Sequence, residues 1–242
     1  MGNVFLRPAA LGVTLFLVGC HQSEPEKVDA ERAAITKNEQ PASASAFYRA
    51  ELCDEVVASS PPITGRVFQY AMYDKDSNQP LMTRIQTVRS VSGDLVSYDE
   101  VLGMGEMSSP PEARQARLGL LLTASTGRSV RYEGAEAAMK ALRPGQTARI
   151  PMTETLSASD RAPAKGEAVV EFVGCGVTQS TVTGAPDEAV RVYRLTMPHS
   201  TAQTPGQMTE VTRLEILLSQ RYGWPVVESV PSGTMVLTSV TS

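Results

Sequence analysis

Alternation of apolar and polar residues is the dominant signal in this chain. Over residues 66–73, Phe68, Tyr70 and Met72 fall on one side, the period of two expected of a half-buried strand. Asp74-Lys75-Asp76-Ser77-Asn78 turns the chain, residues 81–91 return, and Ser92-Gly93-Asp94 leads into residues 95–102. That succession predicts a three-strand meander. Further strands are predicted at 129–132, 146–155, 167–182, 189–197, 208–220, 225–230 and 234–240, separated by Gly, Pro and Ser clusters. Gly174-Cys175-Gly176 interrupts the longest of them and points to a bulge or to close approach of another backbone. Residues 112–122 fit a helix or a strand equally well. Helical spacing is clear at two places. Residues 47–57 put Phe47, Leu52, Cys53, Val56 and Val57 near one face, with Ser45 as N-cap and Pro61-Pro62 as a stop. Residues 134–142 are good helix formers halted by Arg143-Pro144-Gly145.

About nine strands with one or two short helices predict a mainly β domain. The expected form is a large curved antiparallel sheet, a half-barrel or open barrel, because one flat sheet of that size would leave a face wet and its edges open. The helix at 134–142 is the natural cover for the concave side.

Ahead of this domain the polarity changes. Arg7 precedes a short apolar run, residues 9–18, which closes on Leu17-Val18-Gly19-Cys20. A charged start, an apolar core and small residues at a cut site define a secretory signal. With a cysteine directly after the cut, the stretch resembles the lipobox of bacterial lipoproteins. The resemblance implies a signal peptide over residues 1–19, a diacylglyceryl group on the Cys20 sulfur, and an acyl chain such as palmitate on the new amine. Each buried CH2 of such chains contributes roughly 0.8 kcal/mol, so two or more chains anchor stably. The apolar run is shorter than the roughly 20 residues a membrane span needs. Leu6 stands where N-myristoylation requires Ser or Thr. Residues 20–45, polar and without apolar periodicity, then read as the lipidated cysteine and a flexible tether, and residues 46–242 as one β-rich domain. His21, in place of Asp, fits the sorting pattern that sends enteric lipoproteins to the outer membrane. The domain would face the periplasm. Over residues 60–242 the curved sheet with its helix resembles the periplasmic half-barrel lipoproteins of the LolB and LppX kind, which implies a greasy cavity for a lipid or other apolar ligand. No site residue is carried over from that family.

Charge narrows the partners. Beyond Cys20 the chain holds 21 basic against 26 acidic residues, since only Arg7 is lost with the signal, for a net charge of −5. This argues against nucleic acid and against adsorption to anionic headgroups through a basic patch. Cys53 and Cys175 are the two cysteines left besides Cys20. In an oxidising compartment an even pair favours a disulfide, the alternative being two separate buried thiols.

Candidate chemistry is sparse. Asp74, Asp76 and Asn78 match the opening ligands of a calcium loop, but Gln79 and Ile85 stand where Gly and a bidentate Glu are required, so a hairpin turn explains them better. Gly103-Met104-Gly105 lacks the third glycine of a dinucleotide loop. His199 is the one histidine of the domain, with no Cys or His at ligand spacing for a metal. Cys175 has no neighbour that would activate its sulfur. Arg128 and Arg131, and Arg191 and Arg194, read as a solvated face, and Trp224 as packing at a barrel rim. No catalytic constellation, metal site or cofactor is expected. The function expected is a non-enzymatic envelope lipoprotein binding an apolar ligand or another envelope protein; the alternative is an envelope hydrolase using Ser or Cys with His199.

Overall fold

The alternating segments become long antiparallel neighbours, and their register determines everything that follows. The computed structural model describes residues 47–53, 60–74, 80–157, 162–179, 187–201 and 206–242. The strands are β1 (Tyr48–Glu51), β2 (Val67–Asp74), β3 (Pro80–Ser92), β4 (Leu95–Met104), β5 (Met107–Ser108), β6 (Glu112–Arg117) and β7 (Leu121–Ser125). They continue with β8 (Arg128–Tyr132), β9 (Gln146–Leu156), β10 (Ala164–Thr178), β11 (Ala189–His199), β12 (Glu210–Ser219), β13 (Pro225–Val230) and β14 (Gly233–Thr241). Among the described residues one α-helix, α1 (Ala135–Ala141), lies between β8 and β9.

The predicted class, a mainly β antiparallel domain, is the one observed. Its sheet goes further than a half-barrel or open barrel. Twelve strands run in the order β10, β11, β12, β13, β14, β2, β3, β4, β6, β7, β8, β9, and β9 pairs back onto β10 from Gln146↔Phe172 to Glu154↔Ala164. The barrel is closed. Closure removes the two free edges that an open sheet would expose.

β10 outlasts β9, and this explains a second departure from expectation. Beyond Phe172 its edge would offer unpaired backbone groups, and β1 takes them, with Tyr48 opposite Thr178 and Glu51 opposite Cys175. Residues 48–51 are therefore a strand, where the spacing of residues 47–57 predicts a helix; residues 54–59 lie outside the described residues. Both readings of the Gly174–Gly176 interruption apply. The register shifts between Phe172 and Gly174, and Gly176 passes so close under β1 that a Cβ would lie 2.4 Å from Tyr48 Cδ2. Next to this seam the structure joins Cys53 to Cys175 in a disulfide, with Cα atoms 5.1 Å apart.

Two clusters of buried side chains pack inside the barrel. Trp224 stacks on Phe68 at 5.8 Å and meets Tyr98 edge-on at 5.2 Å, while its Nε1 donates to Gln86 Oε1 at 2.9 Å. The hydroxyl of Tyr70 donates to the Pro225 carbonyl at 2.8 Å. An aromatic knot thus centres one cluster, with Val88, Val96 and Ala116 around it. The second cluster is aliphatic: Leu121, Val130, Ile150, Met152, Val170 and Leu195 pack with Ala135, Met139 and Leu142 from α1 and the residue after it.

The disulfide closes a loop of 122 residues, for which the chain-entropy model gives at most about 5 kcal/mol. Neither Cys53 nor Cys175 should alkylate in the denatured protein before reduction. Replacing both with Ser should lower the urea-unfolding free energy by up to that amount, and two reactive thiols without reductant would refute the bond.

Candidate functional site

Charged residues occur inside the barrel because single positions on otherwise apolar strand faces carry them. Residues opposite each other on antiparallel strands share a face. Arg84 of β3 lies opposite Tyr70 and Leu102, Gln86 opposite Phe68 and Glu100, and Tyr98 and Glu100 of β4 opposite Arg114 and Glu112 of β6. This face holds the aromatic knot, so the charges share it with Phe68, Tyr70 and Tyr98.

They form a chain of alternating sign. Arg84 Nη1 donates to Glu228 Oε2 of β13 at 2.8 Å, its Nε is 4.0 Å from Glu100 Oε2, and its guanidinium sits 4.5 Å over the Tyr70 ring. Glu100 accepts from Gln86 Nε2 at 2.9 Å and pairs with Arg114 Nη1 at 3.0 Å. Arg114 Nη2 continues to Glu112 Oε2 at 2.7 Å, and the Thr126 amide donates to Glu112 Oε1 at 2.9 Å. Burial works against the charge on Arg84, but Glu228 and Glu100 hold its pKa above the ordinary value. Burial likewise opposes ionisation of Glu112, and hydrogen bonds from Arg114 and Thr126 outweigh it, so its carboxyl titrates below the usual value. Desolvation pushes the Tyr70 and Tyr98 phenols well up.

At the Glu100–Glu112 end the chain meets a recess of about 350 Å³, lined by Glu100, Leu102, Ser109, Pro110, Pro111, Glu112 and Thr126. It offers carboxylate oxygens between proline walls, which suits a donor-rich or cationic group. Ser109 is occupied by its own turn, its hydroxyl accepting from the Leu102 amide at 2.9 Å. Among the described residues no group of three or more His, Cys, Asp or Glu side chains is placed to hold a metal ion.

A second buried carboxylate stands apart from this chain. The Glu154 side chain is fully buried, ion-paired with Arg128, and accepts from both the amide and the hydroxyl of Ser200 at 2.6 Å. Arg128 is therefore an interior partner, where its sequence context suggests a solvated face. Desolvation pushes the nearby Tyr132 up to about 12.

The residues singled out from the sequence are scattered. His199 ends β11, with Nε2 3.1 Å from Glu210 Oε2 and Nδ1 3.4 Å from Thr212 Oγ1, a cross-strand group on β12. The neighbouring Ser200 hydroxyl is committed to Glu154, and the Cys175 sulfur to Cys53. Arg131 pairs with Glu133, and Arg194 with Glu215 and Glu171. Trp224 is 2% exposed, deep in the aromatic knot. Gly103-Met104-Gly105 leads into the turn from β4 to β5. Cys20, Asp76 and Asn78 lie outside the described residues. The interior chain from Glu228 to Glu112 was missed, and its available signal was a charged or amide residue in step with buried ones: Gln86 with Val88, and Glu100 with Val96 and Tyr98.

No protein-family model matches the chain, and no curated protein matches it. Among solved structures it is similar to a protein from Bacteroides fragilis described as exported, with a YmcC-like fold, at 11% identity over 77% of this chain and 100% of that one, TM-score 0.45. It is also similar to a protein from Parabacteroides distasonis described as a lipoprotein, at 9% identity over 77% of this chain and 100% of that one, TM-score 0.41. Neither similarity transfers a residue role.

Two outcomes follow from the interior charges. Arg84→Met strands Glu228, and should cost about 3 kcal/mol in urea unfolding, since removing one partner leaves a buried charge uncompensated; Arg84→Met with Glu228→Leu should recover part of that loss. Tyr70, Tyr98, Tyr132 and Tyr193 all have raised pKa values through burial. A raised folded pKa contributes stability that is intact below the ordinary value near 10 and is lost as pH rises through the folded one. Phenolate absorbance from these four should emerge only together with loss of the β-sheet circular dichroism signal above about pH 10.

Proposed function

We propose that the chain is an envelope lipoprotein, tethered through Cys20, whose barrel docks onto another envelope component. The observation that carries this reading is the packing of side chains inside the barrel. A carrier of acyl chains needs room inside, and here Phe68, Tyr98, Trp224 and the Arg84–Glu228 pair occupy the interior. In a closed barrel the apolar-ligand reading requires an enclosed cavity in place of a cup. A domain packed this way acts through its outer surface, its rims and its placement. The tether supplies the reach: as a flexible coil, some 25 residues span roughly 25–30 Å. The net charge of −5 disfavours the anionic headgroups themselves as the docking partner.

The anchor and the docking role are tested separately. The native chain should partition into the detergent phase and Cys20→Ala should not; a Cys20→Ala chain that still partitions at full apparent mass would refute the anchor. Native mass spectrometry of the domain should give the bare polypeptide mass, and in-cell crosslinking should give a discrete adduct that Cys20→Ala abolishes. A solvent-extractable lipid on the domain would overturn docking in favour of carriage.

A further inference from the structure

The register of five strands places half of the chain's ten methionines in one row. Met235 of β14 lies opposite Met72 of β2, and Met72 opposite Met82 of β3. Thr83 lies opposite Gly103, so the next step along β3 and β4 brings Met82 to Met104, and Met104 lies opposite Met107 of β5. Adjacent strands are about 4.8 Å apart, and directly opposed side chains have Cβ atoms about 4.5–5.5 Å apart on a common face. Thioethers on three rotatable bonds can converge from such positions.

We propose that this row binds a soft monovalent metal ion, Cu(I) or its redox-inert counterpart Ag(I), through the adjacent thioethers of Met235, Met72 and Met82, with Met104 and Met107 as its exposed end. Thioether sulfur selects such ions over harder divalent ones. It has no proton to lose, so it binds without the deprotonation that a thiol requires. The cysteine sulfurs of the barrel are spent in the Cys53–Cys175 bond, which leaves methionine as its soft donor. The carboxylate that continues the row, Glu228 opposite Met235, is held by Arg84, so the donor set is thioether. Packing alone does not account for the row. Methionine in a core fills gaps, yet Met104 is 59% and Met107 73% exposed, and Met72, Met82 and Met235 are only half-buried. Solvent therefore reaches the row at one end.

The site is independent of the anchor and of docking, and its test does not use them. The full-length Cys20→Ala chain, which lacks the thiol outside the disulfide, is labelled at its methionine methyl carbons and titrated with Ag(I). The methyls of Met235, Met72 and Met82 should shift at one equivalent while those of Met139, Met152, Met197 and Met208 stay. Cu(I) competition with a chromophoric chelator should show at least a tenfold weaker affinity in Met72→Leu/Met82→Leu and unchanged affinity in Met139→Leu. Leucine keeps the volume, and circular dichroism of each variant checks that the barrel is folded. Absence of shifts at one equivalent, shifts confined to methionines outside the row, or unchanged affinity in the folded double variant would each overturn the proposal.

Discussion

β10 has three neighbours, and the barrel depends on that. Its first half is held by β9 and its second half by β1 on the same edge, while β11 runs along the other. β14, the last strand, pairs in turn with β2, the first of the twelve, so the sheet closes and its concave face becomes an interior. Closure then constrains the chemistry of that interior. A charge on the inner face of an open sheet can reach water; a charge inside a closed barrel must find a partner. Arg84, Glu100, Arg114 and Glu228 meet that requirement by alternating in sign across β13, β3, β4 and β6. Such a chain contributes little net stability over a hydrophobic equivalent, but a shifted register would strand its members, so it acts as a lock on strand order.

The strands were legible in the sequence wherever local period and turn chemistry agreed. The meander over residues 66–102, the strands bounding α1, and the closing hairpin follow from alternation and from Gly, Pro and Asp at the turns. What was not legible is long-range. Residues 47–57 have genuine helical spacing, but the partner that makes Tyr48–Glu51 a strand lies more than 120 residues away on β10. Closure depends on the same kind of information, because the strands that complete the ring, β14 and β2, lie more than 150 residues apart, with Gly233 opposite Asp74 and Thr241 opposite Val67. The interior charges were hidden for a different reason. In β3 the outward residues include Ile85 and the inward ones include Arg84 and Gln86, so the polar and apolar faces are nearly exchanged in composition. Alternation alone cannot say which face turns in.

The packing of the described interior shifts the functional question to the rims. The recess beside Glu100 and Glu112 and the methionine row both border the end of β4: Leu102 lines the first, and Met104, two residues further along the same face, belongs to the second. β4 and the short β5 hairpin are thus where the packed interior gives way to groups that can meet a ligand. Thr83 fixes this place, since its Oγ1 would lie 2.5 Å from any Cβ at position 103. Only glycine lets β3 and β4 run side by side there.

The proposed tether and the barrel would make complementary demands on the protein. A core closed by β9 and β10, stapled beside the seam by Cys53–Cys175 and threaded by ion pairs, has little capacity to open for a bulky guest. Opening it would unpair a whole strand interface and expose charges that hold one another. Function in such a domain is cheapest where nothing internal must move, at exposed side chains on rigid strands. Met104 and Met107 satisfy that condition, being solvent-facing yet fixed by the β4–β5 register. An anchor that confines this surface near a membrane raises its effective concentration toward whatever shares that membrane. Placement then does what affinity from a small rim could not do alone.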